Sequence, residues 1–567
     1  MFDVLIRHAT VIDGTRAPRF SADIGISGDR IESIGDLSAA EACQTIDASG
    51  LVAAPGFIDV HTHSDGWLLK SPHLLPKTLQ GFTTEVLMSD GISYAPVTPQ
   101  TWREWIFYLR ALNGMSLDEY SGWHSIADFL DCIAGHNVQN VIAQVPYANV
   151  RSAECGWGRQ RPDDFQMRSI IRDIRRAMEE GAVGLSTGLD YIVQCFASTD
   201  ELVAACQPVA EHGGLYVTHM RYKLGLLPAL REAVEIARRS GTKLHISHLK
   251  AQTPAAADEV LSYLDREATR EVDLSFDVYP YQSGSTMLSY LLPYEIWESG
   301  PIAAVAKLRD PAVRERFNRG LSEHRVEIDK IHIAWVGSKE NSRHQGKLLS
   351  DYVESRRTSP GDALADLLIE ERLAVLLVVN EGDDPLITPF LQHPKHMVGT
   401  DGILCGCVSP LRASDRDKPS PPPGQEPQES NSSGSHKPLE ALRLEGRPHP
   451  RVFGSAGRVL GPLVREVKLF SLEEAVHKLS GYPAARFGLK QRGELKRGNF
   501  ADLVLFDPEA ISDQATYQEP LQPTVGMHTV LVNGTPIIEA GQPVPPARLP
   551  QVLPGRHLRR NQDASAK

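Results

Sequence analysis

The 567-residue chain is 41% apolar and 23% charged, and 59 Lys and Arg against 71 Asp and Glu leave a net charge of −12. Its length suggests two or three units once a large barrel is allowed as one of them, and its balance excludes a wholly disordered, collagen-like or coiled-coil chain. No segment clusters cations among aromatics, seven irregularly spaced cysteines offer no disulfide framework, and no apolar run approaches the roughly 18 residues of a membrane span. Nucleic acid and membrane are therefore not expected as partners. Oligomeric state is not encoded in any feature we can read.

From the N-terminus, Asp3 and Arg7 interrupt the first apolar stretch, which is not that of a signal peptide, and a cytoplasmic protein is expected. DVLIRHATVIDG and DIGISGDRIESIG then alternate apolar and polar residues, the period of short strands. Apolar runs follow at 51–60, 83–88, 140–145, 182–187, 215–218, 243–247 and 396–400, alternating with helical stretches such as 163–181 and 228–241, which end at Gly181 and Gly241. Strand–helix alternation in this number predicts an α/β fold with a closed (β/α)8 barrel over residues 55–489. Two stretches break the rhythm. Residues 285–390 read as an inserted subdomain, in which Trp335 either packs or borders a pocket; the Pro- and Ser-rich 414–450 stretch reads as a mobile loop, a candidate flap because it begins soon after Asp401. Near the C-terminus, NFADLVLFDP and VLVNGTPI regain the strand period, and Asn533-Gly534 is a hairpin signal. Residues 1–54 and 490–548 would make one small β-domain if the chain ends meet, and 549–567 reads as a disordered tail.

The chemistry concentrates at expected strand ends. PGFIDVHTHSD ends in His61 and His63, whose i, i+2 spacing puts two imidazoles on one side of an extended chain, where they can hold a divalent metal. His219 follows LYVT, and His248 follows the next strand 29 residues on, one strand–helix unit later. His245 alternates away from His248 and reads as structural. HMVGTDGI offers Asp401 at the end of the last strand, as a ligand and as a proton carrier.

PGFIDVHTHSD, GFTTEVL, the two histidines after successive strands and GTDG together resemble the amidohydrolase superfamily of metal-dependent barrel hydrolases. Within it, EEGAVGLSTGLDY, YVTHMR, HISHLKA and FADLVLFDP are similar to the N-acyl-D-amino-acid deacylase (D-aminoacylase) branch, over roughly residues 3–540 apart from the 414–450 loop. The resemblance implies a barrel carrying a small β-sandwich built from both chain ends. It implies one or two divalent ions, zinc above all, with His61, His63 and Asp401 at one position and His219 and His248 at the other. Where the branch has GNCG with a bridging cysteine, this chain has MSDGIS, which puts Asp90 at that place, as a bridging ligand or in a supporting turn role. GLSTGLDY has no lysine for the carboxylated-lysine bridge of other branches.

The reaction so implied is hydrolysis of the amide of an N-acyl-D-amino acid, a small-molecule substrate, with Asp401 moving the proton. Lys250, Tyr281, Arg221 and Ser285 are candidates for holding the substrate carboxylate, and Tyr191 for lining an acyl pocket. The alternatives are a cyclic-amide hydrolase of the dihydroorotase or hydantoinase kind and a non-catalytic barrel scaffold. Side-chain preference and D versus L selectivity depend on pocket shape.

Overall fold

The structure is a computed structural model describing residues 1–324, 326–406 and 444–560. The alternating segments at the two chain ends pair with each other. Phe2–Val11 runs antiparallel to Phe20–Ser27 and parallel to Ala42–Asp47 and Val52–Pro55, and Val52–Pro55 in turn pairs antiparallel with Leu503–Phe506. Met527–Val532 and Thr535–Glu539 extend the same nine-stranded sheet. Ile6, Ile24, Leu503 and Leu531 share a core of their own, as alternation toward one buried face requires.

One apolar run feeds two sheets. Of residues 51–60, Val52–Pro55 joins the terminal sheet and Phe57–Asp59 begins the parallel strands. Gly56 makes the handover, because a Cβ there would lie 2.4 Å from Thr83 Oγ1.

The parallel strands fall into two ladders. Phe57–Asp59, Phe82–Leu87 and Asn140–Ala143 form the first; Val145–Pro146, Gly184–Gly188, Leu215–His219, Lys243–Ile246, Leu274–Asp277 and His396–Met397 form the second. Pairs of backbone bonds join them at both ends, Gln144 N to Leu87 O and Val183 N to Ala143 O at one junction, Asp401 N to His61 O and His63 N to Gly402 O at the other. Eight strand positions thus follow one another in chain order around the molecule, the order of a (β/α)8 fold. Helices lie between them, among them Asp164–Glu179, capped by the Asp163 carboxylate, and Leu226–Ser240, ended by Gly241 at φ 77°.

Three expectations are corrected or bounded. YPYQSGSTM (279–287) does not end the seventh strand, which is Leu274–Asp277; Gly284–Met287 instead pairs antiparallel with Val375–Val379, and that strand with Ile331–Val336, inside the inserted unit. Pro280, lacking an N–H, cannot continue a ladder. Residues 549–560 are not a loose tail: Leu553 N bonds Gly135 O, Leu558 N bonds Val141 O and Arg560 N bonds Gly181 O. Arg559 and Arg560 donate to the helix-terminal carbonyls of Glu180 and His212. Of the proposed flap, 414–443 lies outside the described residues, as do 561–567. No helix among the described residues is long and apolar enough to cross a membrane.

Candidate metal centre

Every sequence-derived ligand lies at or just beyond the C-terminal end of a parallel strand. His61 and His63 follow Phe57–Asp59, and their segment is zipped to the last strand's loop by Asp401 N to His61 O at 2.8 Å and His63 N to Gly402 O at 3.2 Å. Asp90 sits in the Ser89–Gly91 turn after Phe82–Leu87, His219 closes Leu215–His219, and His248 follows Lys243–Ile246.

These side chains converge on Asp90. Its Oδ1 lies 3.5 Å from His61 Nε2 and 3.9 Å from His248 Nε2, and its Oδ2 lies 3.7 Å from His63 Nε2 and 3.9 Å from His219 Nδ1. Asp401 Oδ1 lies 3.2 Å from His63 Nε2 and 3.6 Å from His61 Nε2, while His219 Nδ1 and His248 Nε2 are 3.0 Å apart. Ligand atoms of three overlapping triads, His61–His63–Asp90, Asp90–His219–His248 and His61–His248–Asp401, each fall within 4.8 Å of one another.

The donor set fits a divalent cation. His61 Nε2 and Asp90 Oδ1 are buried without a hydrogen-bond partner, which costs about 1–3 kcal/mol per group if nothing else meets them. Imidazole nitrogens with carboxylate oxygens suit zinc and its neighbours. The field of the site agrees. Burial alone would push His61 toward neutrality, yet Asp90, Asp277 and Asp401 raise it to about 10. Burial and the neighbouring His219 push His248 down to about 3. Burial would raise Asp401, but Arg451 and His61 hold it well below the usual carboxylate range. The cluster calls for positive charge at one end and for neutral imidazole at the other.

Behind the ligands stand carboxylates that were not singled out from the sequence. Asp277 Oδ2 lies 3.6 Å from His61 Nδ1 and 2.9 Å from His245 Nε2, and its Oδ1 accepts the His248 backbone N–H. His245 is indeed structural, its other ring nitrogen 2.8 Å from Ser275 Oγ. Asp190 Oδ2 lies 3.5 Å from His219 Nε2 and accepts from the Tyr290 hydroxyl, while Tyr294 donates to its Oδ1. Asp277 ends a strand in DLSFDVYP and Asp190 sits inside GLSTGLDY, so position at a strand end was the available signal.

The candidate substrate residues fare less well. Lys250 forms an ion pair with Glu381 and donates to Tyr279 Oη and Gln282 O, so its charge is already met. Arg221 is spent on Glu232 and the carbonyls of Leu189, Cys195 and Ala197. Tyr281 donates to Asp513, and Ser285 to Leu377 O within the inserted sheet. Only Tyr191 faces the cluster, with its ring 4.9 Å from that of His219. Trp335 packs in the core. The cation missed is Arg451, fully buried, with Nη1 2.9 Å from Asp401 Oδ2 but off hydrogen-bond geometry, and with Nε and Nη1 unpartnered. It directly follows the Pro-rich stretch, where no strand or helix period marks it.

The "Amidohydrolase family" model matches residues 44–311 and 447–538. D-aminoacylase of Alcaligenes xylosoxydans xylosoxydans is 33% identical over 94% of both chains. The same organism's N-acyl-D-glutamate deacylase is 31% identical over 99% of this chain and 97% of its own. Among solved structures, N-acyl-D-glutamate deacylase from Bordetella bronchiseptica, complexed with zinc and a phosphonate mimic of the tetrahedral intermediate, superposes with TM-score 0.77 at 31% identity, covering 98% of this chain and 99% of that one.

Proposed function

Because the chain belongs to the amidohydrolase family, we propose that it is a metal-dependent hydrolase of N-acyl-D-amino acids, releasing a D-amino acid and a carboxylate. The observation that carries this is the convergence of four imidazoles and two carboxylates at the strand ends, with buried His61 Nε2 and Asp90 Oδ1 lacking any other partner. His61, His63, His219, His248, Asp90 and Asp401 would hold one or two divalent ions. A zinc ion so held supplies Lewis acidity, polarising the amide carbonyl and lowering the pKa of water from 15.7 toward about 7.

The chain's own groups do the rest. Asp401, kept ionised by Arg451, accepts a proton from the attacking water and delivers it to the leaving nitrogen as the C–N bond breaks. With Nη1 set against Asp401 and Nη2 donating to Ser285 O, Arg451 keeps Nε as a donor for a substrate carboxylate. The Tyr191 ring borders the reacting group and excludes water. No serine or cysteine nucleophile is needed for an amide opened in this way.

The test is release of free amine from N-acetyl-D-amino acids by the purified protein. Activity should vanish on chelation and return with Zn²⁺, and Asp401→Asn should lower kcat by about 10²–10⁴-fold. A metal-replete protein that hydrolyses no N-acyl-D-amino acid would leave the scaffold or cyclic-amide readings standing.

A further inference from the structure

The two ring nitrogens of His219 meet different neighbours. Nδ1 faces the other candidate ligands, 3.0 Å from His248 Nε2 and 3.9 Å from Asp90 Oδ2. Nε2 is buried and without a hydrogen-bond partner among the described residues, with Asp190 Oδ2 3.5 Å away. A neutral imidazole ligates through Nδ1 only when Nε2 carries the proton. A carboxylate behind Nε2 selects that tautomer, fixes the ring and makes the ligand more basic.

Much of what holds Asp190 comes from the inserted unit. Asp190 lies just past the strand Gly184–Gly188, and the barrel gives its Oδ2 one backbone donor, Lys223 N at 3.2 Å. The hydroxyls of Tyr290 and Tyr294 supply two more, 3.2 Å from Oδ2 and 3.1 Å from Oδ1. These tyrosines stand in the short helices Leu288–Leu291 and Tyr294–Ser299, which follow the inserted unit's strand Gly284–Met287. The grip is mutual. Lys223, in the turn Tyr222–Leu224 after His219, donates Nζ to Tyr290 O and lies 4.2 and 4.5 Å from the ring centroids of Tyr290 and Tyr294.

We propose that Tyr290 and Tyr294 are positioning residues of the metal centre: by holding one oxygen each of Asp190, they let the inserted unit fix His219 for a divalent ion. This rests on the metal-centre reading above and adds that residues outside the parallel strands complete the centre. Bonds to an ionised oxygen are the strong ones, and two of them on different oxygens set the plane of the carboxylate. Without the two hydroxyls, Asp190 is free to rotate away from His219.

The experiment measures the Zn²⁺ affinity of the full chain by competition with a chromogenic chelator. Asp190→Asn should weaken binding about 10–100-fold. Tyr290→Phe/Tyr294→Phe, which removes two hydroxyls and keeps both rings, should weaken it about tenfold. In the Asp190→Asn background the tyrosine changes should add nothing, because groups acting through one shared partner are not additive. Wild-type affinity in the folded double-phenylalanine chain would overturn the proposal, and so would a further tenfold loss on top of Asp190→Asn. If the double variant does not fold, Tyr294→Phe alone is read in the same way, with a loss of about threefold expected. A wild-type chain that binds no Zn²⁺ would overturn the metal-centre reading itself.

Discussion

Asp90, His248 and Asp401 hold φ of 57°, 38° and 46°, a left-handed backbone that an L-residue adopts at a cost of about 1–3 kcal/mol. Each is pinned from outside its own turn. Gln194 Nε2 donates to Asp90 O, Asp277 Oδ1 accepts the His248 N–H, and Asp401 N donates to His61 O. Strain at three of six candidate ligands is the mark of side chains aimed for a purpose, since tight turns with glycine there would cost nothing. Asp277 touches both His61 and the His248 backbone. Asp277→Asn should therefore weaken metal binding by about 10–100-fold, measured by competition with a chromogenic chelator, with far-UV circular dichroism unchanged. A variant with wild-type metal affinity would show that Asp277 only fills space.

At the scale of elements, the two ends of the parallel strands have separate tasks. The candidate ligands all lie at or just beyond C-terminal strand ends. Residues 549–560 cross the opposite side, bonding Gly135 and Val141 around Asn140–Ala143, Gly181 ahead of Gly184–Gly188 and His212 ahead of Leu215–His219. Each bond ties down a backbone group at a helix end or strand start that would otherwise need water. Truncation after residue 548 should lower stability by about 2–4 kcal/mol, seen as a reduced Tm, while kcat/KM at a permissive temperature stays unchanged. A truncated chain of unaltered Tm would show the segment to be an ornament. A drop in kcat/KM without one in Tm would mean that the two faces are coupled.

For the whole molecule, buried titratable groups make stability depend on pH. His73 is buried beside Thr78, 2.8 Å from its hydroxyl, and burial lowers it from 6.5 to about 4. Between those values the unfolded chain binds a proton that the folded chain refuses, so stability is full above about pH 6.5 and falls as pH drops toward 4. The term is at most about 3 kcal/mol. Urea unfolding of His73→Gln should show a correspondingly shallower loss over that window, and an identical slope would remove His73 from the account. What the sequence determined by itself was the set of groups able to do chemistry. HTH, the histidines 29 residues apart and TDG are local, and period-2 runs ending in them place ligands at strand ends whatever the rest does. The strands of both chain ends were legible for the same reason. What only the tertiary structure decided were the partners. Whether Lys250 or Arg451 has a free charge depends on Glu381 and Asp401, which lie 131 and 50 residues away in the chain. Asp90 has its central place only because three other strand ends meet around it. A residue's type and period are written locally, but its electrostatic balance is a sum over neighbours that the chain brings together only by folding.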